Sequence, residues 1–339
     1  MIRRLGVIVN PRAGSGLENA LIAGRLAAGL KPDLTLVGPG DMQPDGLDVP
    51  MQIVDHGSVQ GRARTPELAR RMAAEGADAI AVIGGDGTMA DVAFALWQIG
   101  ATVAILGVGV GSANVGPLVT CRGSDVERLT GASLVACPVD GLIVGANGAV
   151  LGLGFNDAVV SYTVLATVNG SVVDVDAAEK MRGHNVPRDS AGVWTENTRV
   201  VKQGPQGERL VARGDQVETV IVGLPDERFY GKAIAGGVIL TSWLGDPAGC
   251  LVCDHLLVTT RLDPDAYRRS EPVVSRYVGL GEEETIVAWG FRTGAALCAD
   301  GNPLIILNEA DRVEVRARRG IAWVMRAAAA PASAPSLGE

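Results

Sequence analysis

The stretch Ala79-Ile80-Ala81-Val82-Ile83-Gly84-Gly85-Asp86-Gly87-Thr88 decides the fold. Its first half is uncharged and aliphatic, has the length of a buried strand, and ends at a glycine pair. Met89, Val92, Ala93 and Leu96 then recur at helical spacing, so the segment reads strand, glycine turn, helix. The same order appears on both sides. Upstream, Leu5–Val9 is an aliphatic run closed by Asn10-Pro11-Arg12-Ala13-Gly14-Ser15-Gly16, with Leu17, Ala20, Leu21 and Ala28 following at helical spacing. In between, Thr65 is a candidate N-cap, Pro66 takes the first helical position, Leu68, Ala69, Met72 and Ala73 form an apolar stripe, and Gly76 closes the helix. Downstream, Thr102–Leu106 reads as a strand feeding a second glycine-rich turn, GVGVGSANVG, at 107–116. Such alternation implies right-handed crossovers and a parallel sheet, with the glycine turns at the carboxyl ends of its strands, where open α/β folds bind ligands.

Residues 1–138 are therefore expected to form a doubly wound parallel α/β domain. Past Pro138 helical periodicity becomes scarce. LIVGANGAVLGLGFND, VETVIVGLP, GGVILTSW, CLVCDHLLVTT, ETIVAWGF and RVEVRARRGIAWVMR are short apolar or alternating runs separated by turn residues. Residues 139–326 thus predict a β-rich, sandwich-like domain, and 327–339 a disordered tail without apolar periodicity. Within RVEVRARR, at 312–319, charge alternates with valine or alanine, the pattern of an edge strand with one solvated face.

Composition narrows the function. The chain has 339 residues, 47% of them hydrophobic, enough to bury sizeable cores. Lys and Arg number 30 against 38 Asp and Glu, a net charge of −8 that argues against a nucleic-acid partner. Cys121, Cys137, Cys250, Cys253 and Cys298 are an odd set without framework spacing, which points to a reducing cytoplasm. The amino-terminal apolar run is too short for a signal peptide and breaks at Asn10-Pro11. The uncharged stretch 100–119 carries five glycines, Ser112, Asn114 and Pro117, which excludes a membrane helix there.

The sharpest chemical signal is Gly84-Gly85-Asp86-Gly87-Thr88. Glycines let backbone amides approach a phosphate chain, and Gly87-Thr88 opens a helix whose amino end is electropositive. Asp86 at that edge can hold magnesium or accept a proton from an attacking hydroxyl. The alternative is a tight strand-to-helix turn with Asp86 as a cap. Asn10–Gly16 and Gly111-Ser112-Ala113-Asn114 shift the balance, because three glycine or polar turns projecting from one sheet edge favour nucleotide binding. A dinucleotide fingerprint fits less well, since the third required glycine falls on Ser112 or Asn114. No Walker lysine pattern is present.

NPRAGSG, GGDGT with Asp91 three residues on, and GSAN together resemble the superfamily of ATP-NAD kinases and diacylglycerol or sphingoid kinases. The similarity continues in order through Phe155-Asn156-Asp157, Ala235-Gly236-Gly237, Cys253-Asp254-His255 and Ala299-Asp300-Gly301. DERFYGK at 226–232 departs from the Gly-Ser-Thr-Ala-Tyr loop of NAD kinases, and the chain is most similar to the acetoin-catabolism protein X branch, ATP-NAD kinase-like. The resemblance implies an α/β domain paired with a larger β-rich one, ATP and acceptor in the cleft between them, and assembly as a dimer or tetramer. It implies a kinase using ATP and Mg2+. Asn10, Gly14, Gly16, Gly84, Gly85, Gly87, Thr88, Gly111, Ser112 and Asn114 would bind ATP, and Asp86 would act on the acceptor hydroxyl. Asn156, Asp157 and Gly236 would hold the acceptor, NAD being the first to try, and Asp86 and Asp300 would meet the metal. The rival readings are a nucleotide-binding regulator without turnover and a lipid or polyol kinase.

Three weaker candidates remain. Cys250 and Cys253 form a lone CxxC, better read as strand thiols than as a zinc site. His255 is a ligand or base by one reading and a hydrogen-bonded structural histidine by the other. Lys180, Arg182, Arg188, Arg199, Lys202, Arg209 and Arg213 crowd the polar region 180–216, where a solvated surface is the default and contact with an anionic ligand the alternative.

Overall fold

A computed structural model of the chain describes residues 2–11, 13–14, 17–42, 50–111, 114, 116–129, 134–168, 171–225, 245–257, 259–260, 265, 268 and 272–328. The expected strand GGVILTSW, the loop 226–232 and nearly all of the expected tail lie outside these residues. The chain divides into two units, Met1–Pro138 with Ala322–Glu339, and Val139–Ile321.

The first unit contains β1 (Arg4–Val9), α1 (Leu17–Leu30), β2 (Leu34–Gly38), β3 (Met51–Ile53), α2 (Arg64–Ala74), β4 (Ala79–Gly84), α3 (Asp86–Gln98), β5 (Ala104–Gly109) and β6 (Val119–Arg122). β1 pairs in parallel with β2 and β4, β2 with β3, and β4 with β5. The order is therefore β5-β4-β1-β2-β3. The chain leaves β1 toward β2 and β3, then returns to the other side of β1 for β4 and β5. That reversal puts a topological switch point between β1 and β4, where the first two glycine turns emerge. β4 and β5 are buried along their whole length, as expected of a parallel sheet covered on both faces.

Local chemistry sets the helix ends. A short 3-10 turn, Gly61–Ala63, runs into α2, so the helix starts at Arg64 and Thr65 is not its cap. Pro66 falls inside the first turn, where a missing N–H costs nothing. Gly76 closes α2 as expected: at φ +76°, its N–H reaches Ala73 O at 3.1 Å while Ala77 N–H reaches Met72 O at 3.0 Å, a Schellman motif.

The second unit is a sandwich of antiparallel strands. It comprises most of β7 (Leu134–Ala146), then β8 (Ala149–Gly154), β9 (Asp157–Ser161), β10 (Thr163–Val168), β11 (Ser171–Asp176), α4 (Ala177–Met181), β12 (Arg199–Gly204) and β13 (Gly207–Arg213). β14 (Thr219–Gly223), β15 (Ala248–Cys253), β16 (Ser275–Leu280), β17 (Thr285–Trp289), β18 (Ala296–Ala299), β19 (Asn302–Ile306) and β20 (Arg312–Ala327) follow. One sheet runs β16-β15-β14-β9-β18-β19, and β13-β12-β17-β20 forms part of the other with β7 and β8. Val160, Val220, Val252 and Leu297 of the first sheet and Val200, Ile286, Val313 and Val315 of the second share one buried core. The hairpin β10–β11 and α4 cover the other face of the first sheet through Val164, Val175, Ala177, Ala296 and Cys298.

β20 differs from its sequence reading in two ways. It pairs with β17 on one side and also with β7, so its alternating charges mark one solvated face of an inner strand and not a sheet edge. Its end belongs to the first unit, where Val324 pairs in parallel with Ile105 of β5; the second unit stops at Ile321 and not at 326.

Gly107 of β5 tests how tightly the third turn is seated. A Cβ there would collide with the Leu118 carbonyl and come within 2.8 Å of Met89 Sδ. Gly107→Ala is expected to lower stability in urea unfolding by about 1–3 kcal/mol, the range for overpacking. A loss within error of zero would show that Leu118 does not lie against β5.

Candidate functional site

The carboxyl ends of β1, β4 and β5 carry the three glycine turns, and the turns touch. Asn10 N–H donates to Ile83 O at 2.9 Å and Val110 N–H to Gly84 O at 3.0 Å, continuing the ladder beyond the strands. A Cβ on Gly14 (φ +55°) would sit 2.7 Å from Val110 O, and one on Gly111 would sit 3.2 Å from the Gly85 Cα. A side chain at Gly14 would force its turn from the Val110 carbonyl, and one at Gly111 would press on Gly85.

Polar side chains fasten what the glycines bring close. Asn10 Nδ2 donates to Thr88 Oγ1 at 2.8 Å, joining the first turn to α3. Gly111 N–H donates to Asn114 Oδ1 at 2.9 Å, and Asn114 Nδ2 donates back to Gly111 O, with Asn114 itself at φ +51°. Gly116 N–H donates to Asp86 Oδ1 at 3.0 Å, tying the third turn to the second. Asn10, Thr88 and Asn114, expected to meet ATP, therefore have their side chains engaged as braces. Gly16 and Ser112 lie outside the described residues.

Among the described residues no side chain caps the amino end of α3; Gly85 is its N-cap residue, in extended conformation. A helix N-terminus carries partial positive charge and aims backbone N–H groups outward. The cradle therefore presents main-chain donors, with Asp86 as the carboxylate at its rim. Among the described residues no group of three or more His, Cys, Asp or Glu side chains could cage a metal. A single carboxylate beside a phosphate chain still suits magnesium, which keeps most of its ligands as phosphate and water oxygens.

Sequence reading missed two residues here. Asn19 of α1 is 1% exposed and donates its Nδ2 to Asn10 O at 3.2 Å and Ala13 O at 2.6 Å, holding the first turn from below. Nothing in the sequence reading pointed to it: the buried face of α1 is Asn19, Ala23, Leu26 and Ala27, opposite the stripe Leu17, Ala20, Leu21 and Ala28 read from the spacing, and Leu21 is exposed. Arg62 meets Asp91 bidentately, both contacts at 2.7 Å, so Asp91 of the motif locks α3 to the turn before α2.

In the second unit Phe155-Asn156-Asp157 forms the turn between β8 and β9, and Asp300 holds it. The Asp300 carboxylate accepts N–H bonds from Phe155 at 2.8 Å, Asn156 at 2.7 Å and Asp157 at 3.2 Å, with Asp300 itself at φ +48°. Asp300, expected as a metal ligand, is instead an amide clamp whose oxygens already have donors. Lys180 Nζ donates to Gly301 O at 3.1 Å beside it. Gly236 lies outside the described residues.

The weaker candidates resolve structurally. Cys250 and Cys253 stand three apart on β15, hence on opposite faces, and both are buried; burial pushes the Cys250 thiol up to about 12. His255 Nδ1 lies 2.7 Å from Asp254 Oδ1. It follows the end of β15 that pairs with Thr219, whereas Gly223, at the other end of β14, pairs with Asp157. His255 is therefore remote from the Asn156–Asp157 turn along the sheet. The basic residues of 180–216 are largely engaged rather than merely solvated. Arg188 pairs with Asp176 at 2.7 Å and covers the Tyr162 ring, Lys202 pairs with Glu284 at 2.7 Å, Arg182 pairs with Glu179, and Arg199 binds the Glu196 and Thr198 carbonyls.

Residues 4–130 match the family model for the diacylglycerol kinase catalytic domain. The chain is 31% identical over 328 residues to an uncharacterized protein of Archaeoglobus fulgidus, covering 95% of this chain and 98% of that one. The fold is shared with a candidate diacylglycerol kinase from Bacillus anthracis, at 15% identity, TM-score 0.54 and coverage of 96% and 97%. It is shared also with yeast NADH kinase in complex with NADH, at 13% identity, TM-score 0.56 and coverage of 98% and 84%. No helix among the described residues is long and apolar enough to cross a membrane.

The Asp300 clamp has a pH signature. Loss of water around the carboxyl, then the neighbouring Asp157 charge, push its pKa up to about 7 against the pull of the amide donors. The unfolded value is about 3.9. Between about pH 4 and 7 the folded state therefore keeps a proton that the unfolded state releases, and this group's contribution to stability falls as pH rises through that window. Asp300→Asn, which keeps one carbonyl oxygen for the amides, is expected to flatten that slope in denaturant unfolding, and Asp300→Ala is expected to cost about 1–3 kcal/mol at pH 5, where the amides lose their acceptor. An unchanged slope in Asp300→Asn would place the proton elsewhere.

Proposed function

We infer the chemistry from family and site together: the chain belongs to the superfamily that unites diacylglycerol kinase catalytic domains with NAD kinase-like enzymes, phosphotransferases with a hydroxyl acceptor. We propose that it transfers the γ-phosphoryl group of ATP to an acceptor hydroxyl. The observation that carries this reading is the contact of three glycine turns around the amino end of α3, with Asp86 at the rim.

In this reading the amides near Gly14 and Gly84–Gly87 hold the triphosphate and face the charge that develops on its oxygens, while the Gly111 amide, engaged by Asn114, shapes the turn beside them. Asp86 orients the acceptor hydroxyl and takes its proton as the oxygen–phosphorus bond forms and the bond to ADP breaks. Magnesium, bound through Asp86 and the phosphates, would supply charge neutralisation. Transfers of this kind depend on alignment and electrostatics, and no covalent nucleophile is required. Asn156 and Asp157 are the proposed acceptor contacts, since an amide beside a carboxylate can serve two adjacent hydroxyls. NAD is the first acceptor proposed. The match of residues 4–130 to the diacylglycerol kinase model supports a lipid glycerol as the second.

The test is ADP formation by the purified protein with magnesium-ATP and NAD, diacylglycerol, sugars or polyols. Turnover with one acceptor class is expected, and Asp86→Asn should reduce it at least about 100-fold, the scale of general-base catalysis, while ATP still binds. Tight ATP binding without acceptor-dependent ADP would favour a nucleotide-binding regulator. ADP formation undiminished in Asp86→Asn would remove Asp86 from its role.

A further inference from the structure

Arg326 lies near the end of β20, between the charged run 312–319 and the tail, in a part of the sequence that carries no motif. Its guanidinium donates through one terminal nitrogen to Val119 O at 2.6 Å and through the other to Pro117 O. The carbonyls it gathers belong to a single tight turn, in which Val119 N–H donates to Gly116 O at 3.1 Å. At the start of that turn, Gly116 N–H donates to Asp86 Oδ1 at 3.0 Å. Next to Arg326 the anchoring continues: Thr120 Oγ1 donates to Met325 O at 2.9 Å and accepts from Gly107 N–H at 3.0 Å.

We infer that Arg326 is a positioning residue for Asp86, a guanidinium fork that fixes the turn 116–119 so that the Gly116 amide holds the Asp86 carboxylate in its working orientation. Planar guanidinium suits this task because its terminal nitrogens donate in fixed directions to separate carbonyls, whereas an ammonium on a flexible stem serves one at a time. Asn114 and Gly116 also belong to the third glycine turn, so the fork sets the geometry of the cradle and of the carboxylate together. In this reading Arg326 acts through the turn and not on the nucleotide or the acceptor. This inference rests on the assignment of Asp86 above.

The test compares wild type with Arg326→Leu and Arg326→Lys by hydrogen–deuterium exchange of the unliganded protein and by steady-state kinetics. In Arg326→Leu the amides of Gly116 and Val119 should exchange about tenfold faster or more, while β4 and β5 keep wild-type protection. With magnesium-ATP and the active acceptor, kcat should fall about tenfold with a smaller rise in the KM for ATP, the pattern of an interaction that matters most in the transition state. Added guanidinium at millimolar concentration should restore part of the kcat of Arg326→Leu, a rescue that a merely structural residue would not show. Arg326→Lys, which keeps one cationic donor, should fall between the two and serves if the leucine variant does not fold. Unchanged exchange at 116–119 would overturn the tether whatever the activity. Faster exchange with unchanged kcat would overturn its link to Asp86. If wild type turns over no acceptor, the kinase reading fails, and the exchange measurement still decides the tether.

Discussion

Hydrogen bonding among the glycine turns at one sheet edge is the constraint on which the rest depends. Parallel pairing delivers the carboxyl ends of β1, β4 and β5 to the same side, but it does not fix the shape of the turns beyond them. Asn10 on Thr88, Asn114 on Gly111 and Asp86 on Gly116 supply that shape. Each link joins or closes turns that would otherwise trade backbone groups with water. Glycine is required because the turns approach to backbone contact, as at Gly14 over Val110 and Gly111 over Gly85.

The consequence is a site made of main chain. Where side chains are engaged in bracing, the proposed recognition of a polyanion would fall to amide N–H groups and the field of a helix end, which are already oriented before a ligand arrives. Such a site gains little from extra cations, in keeping with a net charge of −8. The second unit uses the converse arrangement, in which the Asp300 carboxylate collects the amides of one turn and so presents Asn156 and Asp157 in a fixed orientation. Arg326 does with carbonyls what Asp300 does with amides.

Much of the fold is legible in the sequence where the signal is local. The aliphatic runs before Asn10 and Gly84, the glycine pair, and the change to short alternating runs past Pro138 announce an α/β unit and a β-rich unit directly. Gly76 reads as a helix end because its left-handed backbone is a local demand. Thr65 reads wrongly as a cap because the preceding 3-10 turn, which moves the helix start forward, leaves no periodicity of its own. The braces are out of reach for a different reason: Asn10 and Thr88 are 78 positions apart, Phe155 and Asp300 are 145 apart, and Pro117 and Arg326 are 209 apart. Residue type alone suggests ligand contact for Asn10, Asn114 and Asp300. Only their partners show that they hold the protein to itself. The charge alternation in β20 likewise records which face is solvated and says nothing of whether a neighbour lies alongside.

The most direct measurement is an ATP titration followed by amide resonances of the isotopically labelled protein in the presence of magnesium. If the turns form one phosphate cradle, the N–H signals of Gly14, Gly85, Asp86, Gly87 and Gly111 should shift together along a single binding curve, with the largest changes at the start of α3. Saturable ATP binding that leaves these amides unmoved, or that perturbs only one of the turns, would contradict a shared main-chain cradle.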